Sequence, residues 1–122
     1  KGGNYGWNDA SYGKKYFSEG MFLDHETAGF EEPVFTFIPS LAITEIIRLD
    51  NNFTKEWQDN YLIGSLNGRH LLRLKFNKEK SKVLYIEKIF IGERIRDLLY
   101  DEKNKIILLA LEETGSIGVI SK

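Results

Sequence analysis

Beyond Pro33 the chain is a succession of short apolar runs, about four to eight residues each, rich in Ile, Leu, Val and Phe and separated by polar or turn residues. Runs this short suit strands better than helices. They predict β-strands over 34–38, 41–49, 60–66, 70–76, 83–91, 94–100, 105–111 and 116–120. Between the third and fourth, Asn67-Gly68 is a hairpin signal, because both residues tolerate the positive φ that a type I′ turn demands. Asn77-Lys78-Glu79-Lys80 and Asp101-Glu102-Lys103-Asn104 have the length expected of connections between antiparallel neighbours, and Thr54–Trp57 reads as a turn. Residues 1–33 differ: rich in Gly, Tyr, Ser and charge with little periodicity, they predict a long excursion pinned by aromatics. The expected organisation is therefore a loop segment over 1–33 and one partial β domain over 34–122.

A meander of short antiparallel strands at regular spacing is the pattern of β-propeller blades. The strands from 41–49 to 83–91 make one four-stranded blade, and those from 94–100 to 116–120 most of another. The fold class is all-β, with about two blades in this chain. A small sandwich or barrel shares the spacing and stays open at this point. No strict internal repeat, heptad pattern or low-complexity segment argues for a solenoid or coiled coil.

Composition then narrows the partners. With 17 Lys+Arg against 18 Asp+Glu, the chain carries no electrostatic footprint for nucleic acid or an anionic membrane. The absence of cysteine removes disulfides, thiolate catalysis and Cys-type zinc sites. The longest apolar runs, such as Ile106–Leu111, are far too short to span a membrane, and no signal segment opens the chain. It starts at Lys1 and its only methionine is Met21, so the expectation is a part of a longer or processed polypeptide.

Few residues stand out as carriers of chemistry. Arg94 and Arg96 lie two apart in a predicted strand and so share a face, opposite Ile95 and Asp97. Neighbouring guanidiniums repel unless something anionic sits between them, and their planar forks suit carboxylates and quinone oxygens. The plainer alternative is that each pairs with a surface Asp or Glu. His25 lies in a polar loop and His70 opens a strand, without a spacing that brings them to one metal or nucleophile, so packing or solvated roles are expected. Ser40 and Ser65 lack nucleophile-elbow glycines, which argues against hydrolase chemistry. No residue of this chain is assigned a catalytic role.

Several motifs in order carry more than any one alone. Gly2-Gly3-Asn4-Tyr5-Gly6-Trp7 packs glycines around two aromatics. It is followed by Glu32-Pro33-Val34-Phe35-Thr36-Phe37-Ile38-Pro39-Ser40-Leu41-Ala42, then Trp57–Leu66, His70–Leu74 and Glu93-Arg94-Ile95-Arg96-Asp97. Together they resemble the C-terminal part of the glucose/sorbosone dehydrogenase family, the soluble PQQ-dependent aldose sugar dehydrogenases. The resemblance implies a six-bladed propeller whose last part is this chain, and a parent enzyme that oxidises the C1 hydroxyl of an aldose to a lactone. It implies PQQ contact for Arg94 and Arg96, for Leu66 and Asn67 in their hairpin, and for Phe35, Ile38 and Ser40 in the aromatic stretch. The calcium that clamps PQQ and the catalytic histidine would lie outside this chain, leaving it inactive alone.

Departures from the family pattern are Asn8 for the usual proline after Gly-Trp, Ala42-Ile43-Thr44-Glu45 for an Ala-Pro-Ser-Gly turn, and the uncharged Asn67 where some members place a lysine. The rival function is a non-catalytic propeller that serves as a binding or interaction module. The resemblance also implies a periplasmic or secreted setting. The expected partners are an aldose substrate and either the remaining blades or a second copy of the chain in a homo-oligomer, since cut blades expose strand edges and apolar faces.

Overall fold

A computed structural model describes residues 2–15 and 20–122. Lys1 and residues 16–19, which belong to the predicted N-terminal excursion, lie outside the described residues. By compactness the chain divides into two units, Lys1–Ser40 and Leu41–Lys122.

No helix or strand forms among the described residues of the first unit. Its organisation comes from turns. Gly6, at φ +75°, turns the chain so that its carbonyl accepts from the amides of both Asp9 and Ala10. Ala10 is buried and bridges to Leu23, whose amide donates to the Asp9 carbonyl at 2.9 Å. Tyr12 stacks on buried His25 at 5.0 Å between ring centroids and donates its hydroxyl to Glu32. His25 thus packs.

The strand expected over 34–38 does not form. Pro33 and Pro39 bracket it, and neither carries an N–H to enter a ladder. Phe35 and Phe37 instead pack edge to face at 5.0 Å.

Among the described residues all regular structure lies in the second unit, and it is antiparallel. Strands β1 (Ile43–Arg48), β2 (Asn60–Ser65), β3 (His70–Phe76) and β4 (Val83–Phe90) form a four-stranded meander in chain order. Strands β5 (Ile95–Asp101), β6 (Ile106–Leu111) and β7 (Ser116–Ile120) form a three-stranded one. Seven of the eight expected strands are thus present, each within a residue or two of its predicted ends. The connections behave as their composition suggests. Asn77 Oδ1 accepts from the Ser81 and Lys82 amides, and Asp101 Oδ1 from the Asn104 amide, each side chain closing its own turn.

The two sheets meet across one core of Leu49, Phe53, Leu62, Leu71, Ile95, Leu98, Ile107 and Leu109. Each such side chain taken from water contributes about 1.5–3 kcal/mol, so this cluster outweighs any single polar contact. In β2 and β3 the opposite face is apolar too: Ile63, Leu72 and Leu74 are buried as well, which is why those strands read as continuous rather than alternating runs.

Several polar groups at the core's margin are paired. Fully buried Asn60 donates to the Gln58 carbonyl and accepts from the Tyr85 hydroxyl and from Arg73. Arg73 itself lies over the Trp57 and Tyr85 rings. Tyr100 donates to Asp50 at 2.9 Å; burial, reinforced by that bond, pushes its hydroxyl up to about 12. Burial would raise the Asp50 carboxyl, but hydrogen bonds from Asn52 and Tyr100 hold it below its ordinary range.

Where β2 crosses the first strand of the second sheet, the approach is close enough to require a glycine. A Cβ on Gly64 would lie 2.6 Å from Thr44 Oγ1 and 3.3 Å from Ile95 Cγ2, while Thr44 Oγ1 donates to the Ile95 carbonyl at 3.0 Å. Gly64→Ala should therefore lower unfolding stability by about 1–3 kcal/mol, the scale of overpacking a tight interior. Urea denaturation checks it; an unchanged midpoint would mean the sheets can part there without cost.

Candidate functional site

At one end of the second unit, three connections converge: the β2–β3 tip, the β4–β5 loop and the β6–β7 turn. The β2–β3 connection is a hairpin, as expected, but its turn is not type I′. Neither Asn67 nor Gly68 has positive φ; the left-handed residue is Arg69, at +53°. Tertiary pairing sets this geometry. The Leu66 amide donates to the Ala42 carbonyl at 3.0 Å and the Asn67 amide to the Leu41 carbonyl at 3.1 Å, so the tip continues the β1–β2 ladder instead of closing on itself. Gly68 is needed for space: a Cβ there would lie 2.8 Å from His70 Nδ1.

Arg69 ties the tip to its neighbours. Its carbonyl accepts from the Ile91 and Gly92 amides, and its guanidinium pairs with Glu113 at 2.7 Å. The adjacent Glu112 holds both predicted arginines. Arg94 Nε lies 3.2 Å from one carboxylate oxygen, and Arg96 Nη2 bonds the other. The Glu112 amide also donates to the Arg94 carbonyl at 3.0 Å.

The simple alternation expected of Arg94, Ile95, Arg96 and Asp97 is broken. Ile95 pairs with Leu111 and Asp97 with Ala110, so Arg96 is an extra residue, a bulge. The core positions record it, since buried Ile95 and Leu98 stand three apart rather than two. Arg94 precedes the strand, and the bulge re-aims Arg96, yet both guanidiniums reach one carboxylate. The plainer alternative, pairing with an acidic side chain, is the arrangement seen, and strand alternation does not produce it.

Part of each guanidinium stays open to solvent. Arg94 is 38% exposed and Arg96 56%, so both forks keep N–H groups accessible beyond their Glu112 contacts. Arg94 Nε is a buried atom that makes no hydrogen bond, its approach to Glu112 being an ion pair without hydrogen-bond alignment. On these connections Arg69, Arg94 and Arg96 are matched in number by Glu93, Glu112 and Glu113, Glu93 accepting from the Thr114 hydroxyl at 3.0 Å.

Leu66 and Asn67 belong to this end of the unit; Phe35, Ile38 and Ser40 belong to the first unit, where Phe35, Ile38 and Ser40 are exposed. Sequence reasoning missed Arg69, Glu112 and Glu113. Their signal was faint: a charge directly after the Asn-Gly pair, and two acids ending the Ile106–Leu111 run. A separate groove at the far end of the first sheet is lined by Arg48, Tyr61, Lys75, Phe76 and Lys80 and shares no residue with this cluster. Among the described residues no three His, Asp or Glu come together as metal ligands, and no helix is long and apolar enough to cross a membrane.

Paired antiparallel blades with arginines converging at their end define a β-scaffold that carries an arginine–glutamate cluster on its connections. Comparison with known proteins gives the class a family: the chain belongs to the glucose/sorbosone dehydrogenase family, whose model matches residues 1–119. It is 29% identical over 127 residues to the aldose sugar dehydrogenase YliI of Escherichia coli (strain K12), covering 99% of this chain and 33% of that protein. A crystal structure of a glucose dehydrogenase superposes with a TM-score of 0.84 at 25% identity, over 99% of this chain and 36% of that one. The apo-form of the soluble aldose sugar dehydrogenase from Escherichia coli gives 0.77 at 25% identity, over 100% and 36%. The chain therefore spans about a third of the length of these relatives, and the bladed all-β fold stands where a sandwich or barrel had remained open.

Glu112→Ala should change unfolding stability by less than about 1 kcal/mol, because both ion pairs are a third or more exposed and screened by solvent. Chemical denaturation measures it. A loss of several kcal/mol would mean that the triad holds the fold together and is not a ligand cradle.

Proposed function

We propose that this chain forms the C-terminal part of a quinoprotein aldose sugar dehydrogenase, a six-bladed propeller in which Arg94 and Arg96 hold PQQ. The observation that carries this reading is the convergence of two accessible guanidiniums on one carboxylate, beside the Leu66–Arg69 tip. The residues fit the group: PQQ presents carboxylates and quinone oxygens, and the cradle offers charged, planar donors, one of them a buried N–H without a hydrogen-bond acceptor.

When bound, PQQ supplies the two-electron chemistry that takes the C1 hydroxyl of an aldose to a lactone. The chain's own residues bind and orient. Arg94 and Arg96 donate hydrogen bonds to cofactor oxygens and stabilise negative charge on them. Glu112 keeps the two forks from splaying apart under their mutual repulsion. Leu66 supplies an apolar contact, and Asn67 a neutral polar one. Phe35, Ile38 and Ser40 are assigned cofactor contact by family resemblance alone. The base that takes the hydroxyl proton and the calcium that clamps the cofactor would come from elsewhere in the parent protein, and a periplasmic or secreted setting goes with this reading. The rival, a non-catalytic binding propeller, gains no support from the relatives, whose names are those of dehydrogenases.

In the complete protein, Arg94→Ala or Arg96→Ala should each weaken PQQ binding by about 1.5–3 kcal/mol, the scale of a charge-assisted hydrogen bond. Fluorescence titration with PQQ reads the affinity, and dye reduction with an aldose reads the activity. Binding unchanged by either substitution would sink the site assignment; a complete protein that binds no PQQ would sink the function.

A further inference from the structure

At the β2–β3 tip, both main-chain polar groups of Gly68 are taken by buried side chains. Its amide donates to Ser65 Oγ at 2.8 Å, and its carbonyl lies 2.5 Å from His70 Nδ1. Ser65 passes its own hydroxyl hydrogen to the Leu41 carbonyl at 3.0 Å, so that hydroxyl both donates and accepts. Ser65 and His70 are 0% and 8% exposed, whereas Asn67 and Arg69 on either side of Gly68 are exposed. The clasp grips the tip from inside.

A carbonyl only accepts, so the contact with Gly68 places the imidazole proton on Nδ1. Nε2 is then a bare acceptor, and it is buried without a partner. An apolar ring would fill the same space without that unsatisfied atom. The directional feature that distinguishes histidine here is its bond to the tip. Glycine completes the device, because a Cβ at position 68 would lie 2.5 Å from Ser65 Oγ and 2.8 Å from His70 Nδ1.

We propose that His70 is a positioning residue: acting through the Gly68 carbonyl, it fixes the tip Leu66–Arg69 in the conformation that presents Leu66 and Asn67 to the cofactor. This rests on the cofactor-facing role given to the tip above. Cofactor contact stays with the tip and the arginines; His70 acts on the tip from behind, through Gly68.

Three readouts test it. The side-chain nitrogen shifts of wild-type His70 should show the Nδ1–H tautomer; an Nε2–H tautomer would overturn the proposal without any variant. His70→Phe keeps a ring but no donor, and should speed amide exchange at Asn67 and Gly68 by about ten-fold or more while the paired amides of Leu62 and Leu72 keep theirs. His70→Asn, whose side-chain amide can reach the same carbonyl, should restore slow exchange. Exchange at the tip that is unchanged in His70→Phe would overturn the proposal. In the complete protein PQQ affinity should fall in His70→Phe and recover in His70→Asn. A loosened tip with unchanged affinity would overturn the link to the cofactor. A wild-type protein that binds no PQQ would instead remove the cofactor role, with tautomer and exchange still deciding whether His70 holds the tip.

Discussion

The close crossing of β2 over the start of β5 is the constraint on which the rest depends. With Gly64 on one side and Ile95 on the other, the two sheets approach until the Thr44 hydroxyl reaches the Ile95 carbonyl. A hydrogen bond of this kind contributes on the order of 1 kcal/mol, less than the burial of Ile95 or Leu98 beside it, so apolar packing supplies most of the energy and the hydroxyl sets the register. A Cβ at position 64 would collide with the Thr44 hydroxyl that makes this bond and press on Ile95 and Leu98 of β5, and β5 begins at the residue that follows Arg94.

That register decides where charge can gather. Once Ile95 is fixed in the core, Arg94 must leave at the sheet's end, and the bulge at Arg96 turns the second guanidinium towards the same carboxylate. Glu112 reaches both because its amide is already bonded to the Arg94 carbonyl. Arg69 then couples this cluster to the tip through the β4–β5 loop and Glu113. Rigid strands hold short connections, and the connections gather the charged side chains.

Much of this was legible in the chain. Continuous runs such as Tyr61-Leu62-Ile63 and His70-Leu71-Leu72 announced strands, and Asn77 and Asp101 announced their turns. The 34–38 segment misled because Phe35 and Phe37 alternate as a strand does, while Pro33 and Pro39 deny it a ladder. Asn67-Gly68 marked a hairpin correctly but not its turn type, because the pairing of Leu66 and Asn67 with Leu41 and Ala42 is a tertiary fact that local propensity does not contain. The arginines were visible from their spacing. Their partner was not, since Glu112 stands just past the end of the next strand, and only the three-residue step from Ile95 to Leu98 hinted that a bulge would bring Arg96 round to it. His70 read as a packing residue and does pack; its bond to Gly68 depends on a turn that the sequence did not specify.

The most direct test of the account is a titration of the isotope-labelled chain with PQQ, followed through the guanidinium Nε–H resonances of its arginines and its backbone amides. The account predicts saturable shifts at Arg94 and Arg96 together with the amides of Leu66–Gly68, while Arg48 and Arg73, at the far end and the core margin, stay still. Saturable binding that moves Arg48 or Arg73 and leaves Arg94, Arg96 and the tip unchanged would contradict it.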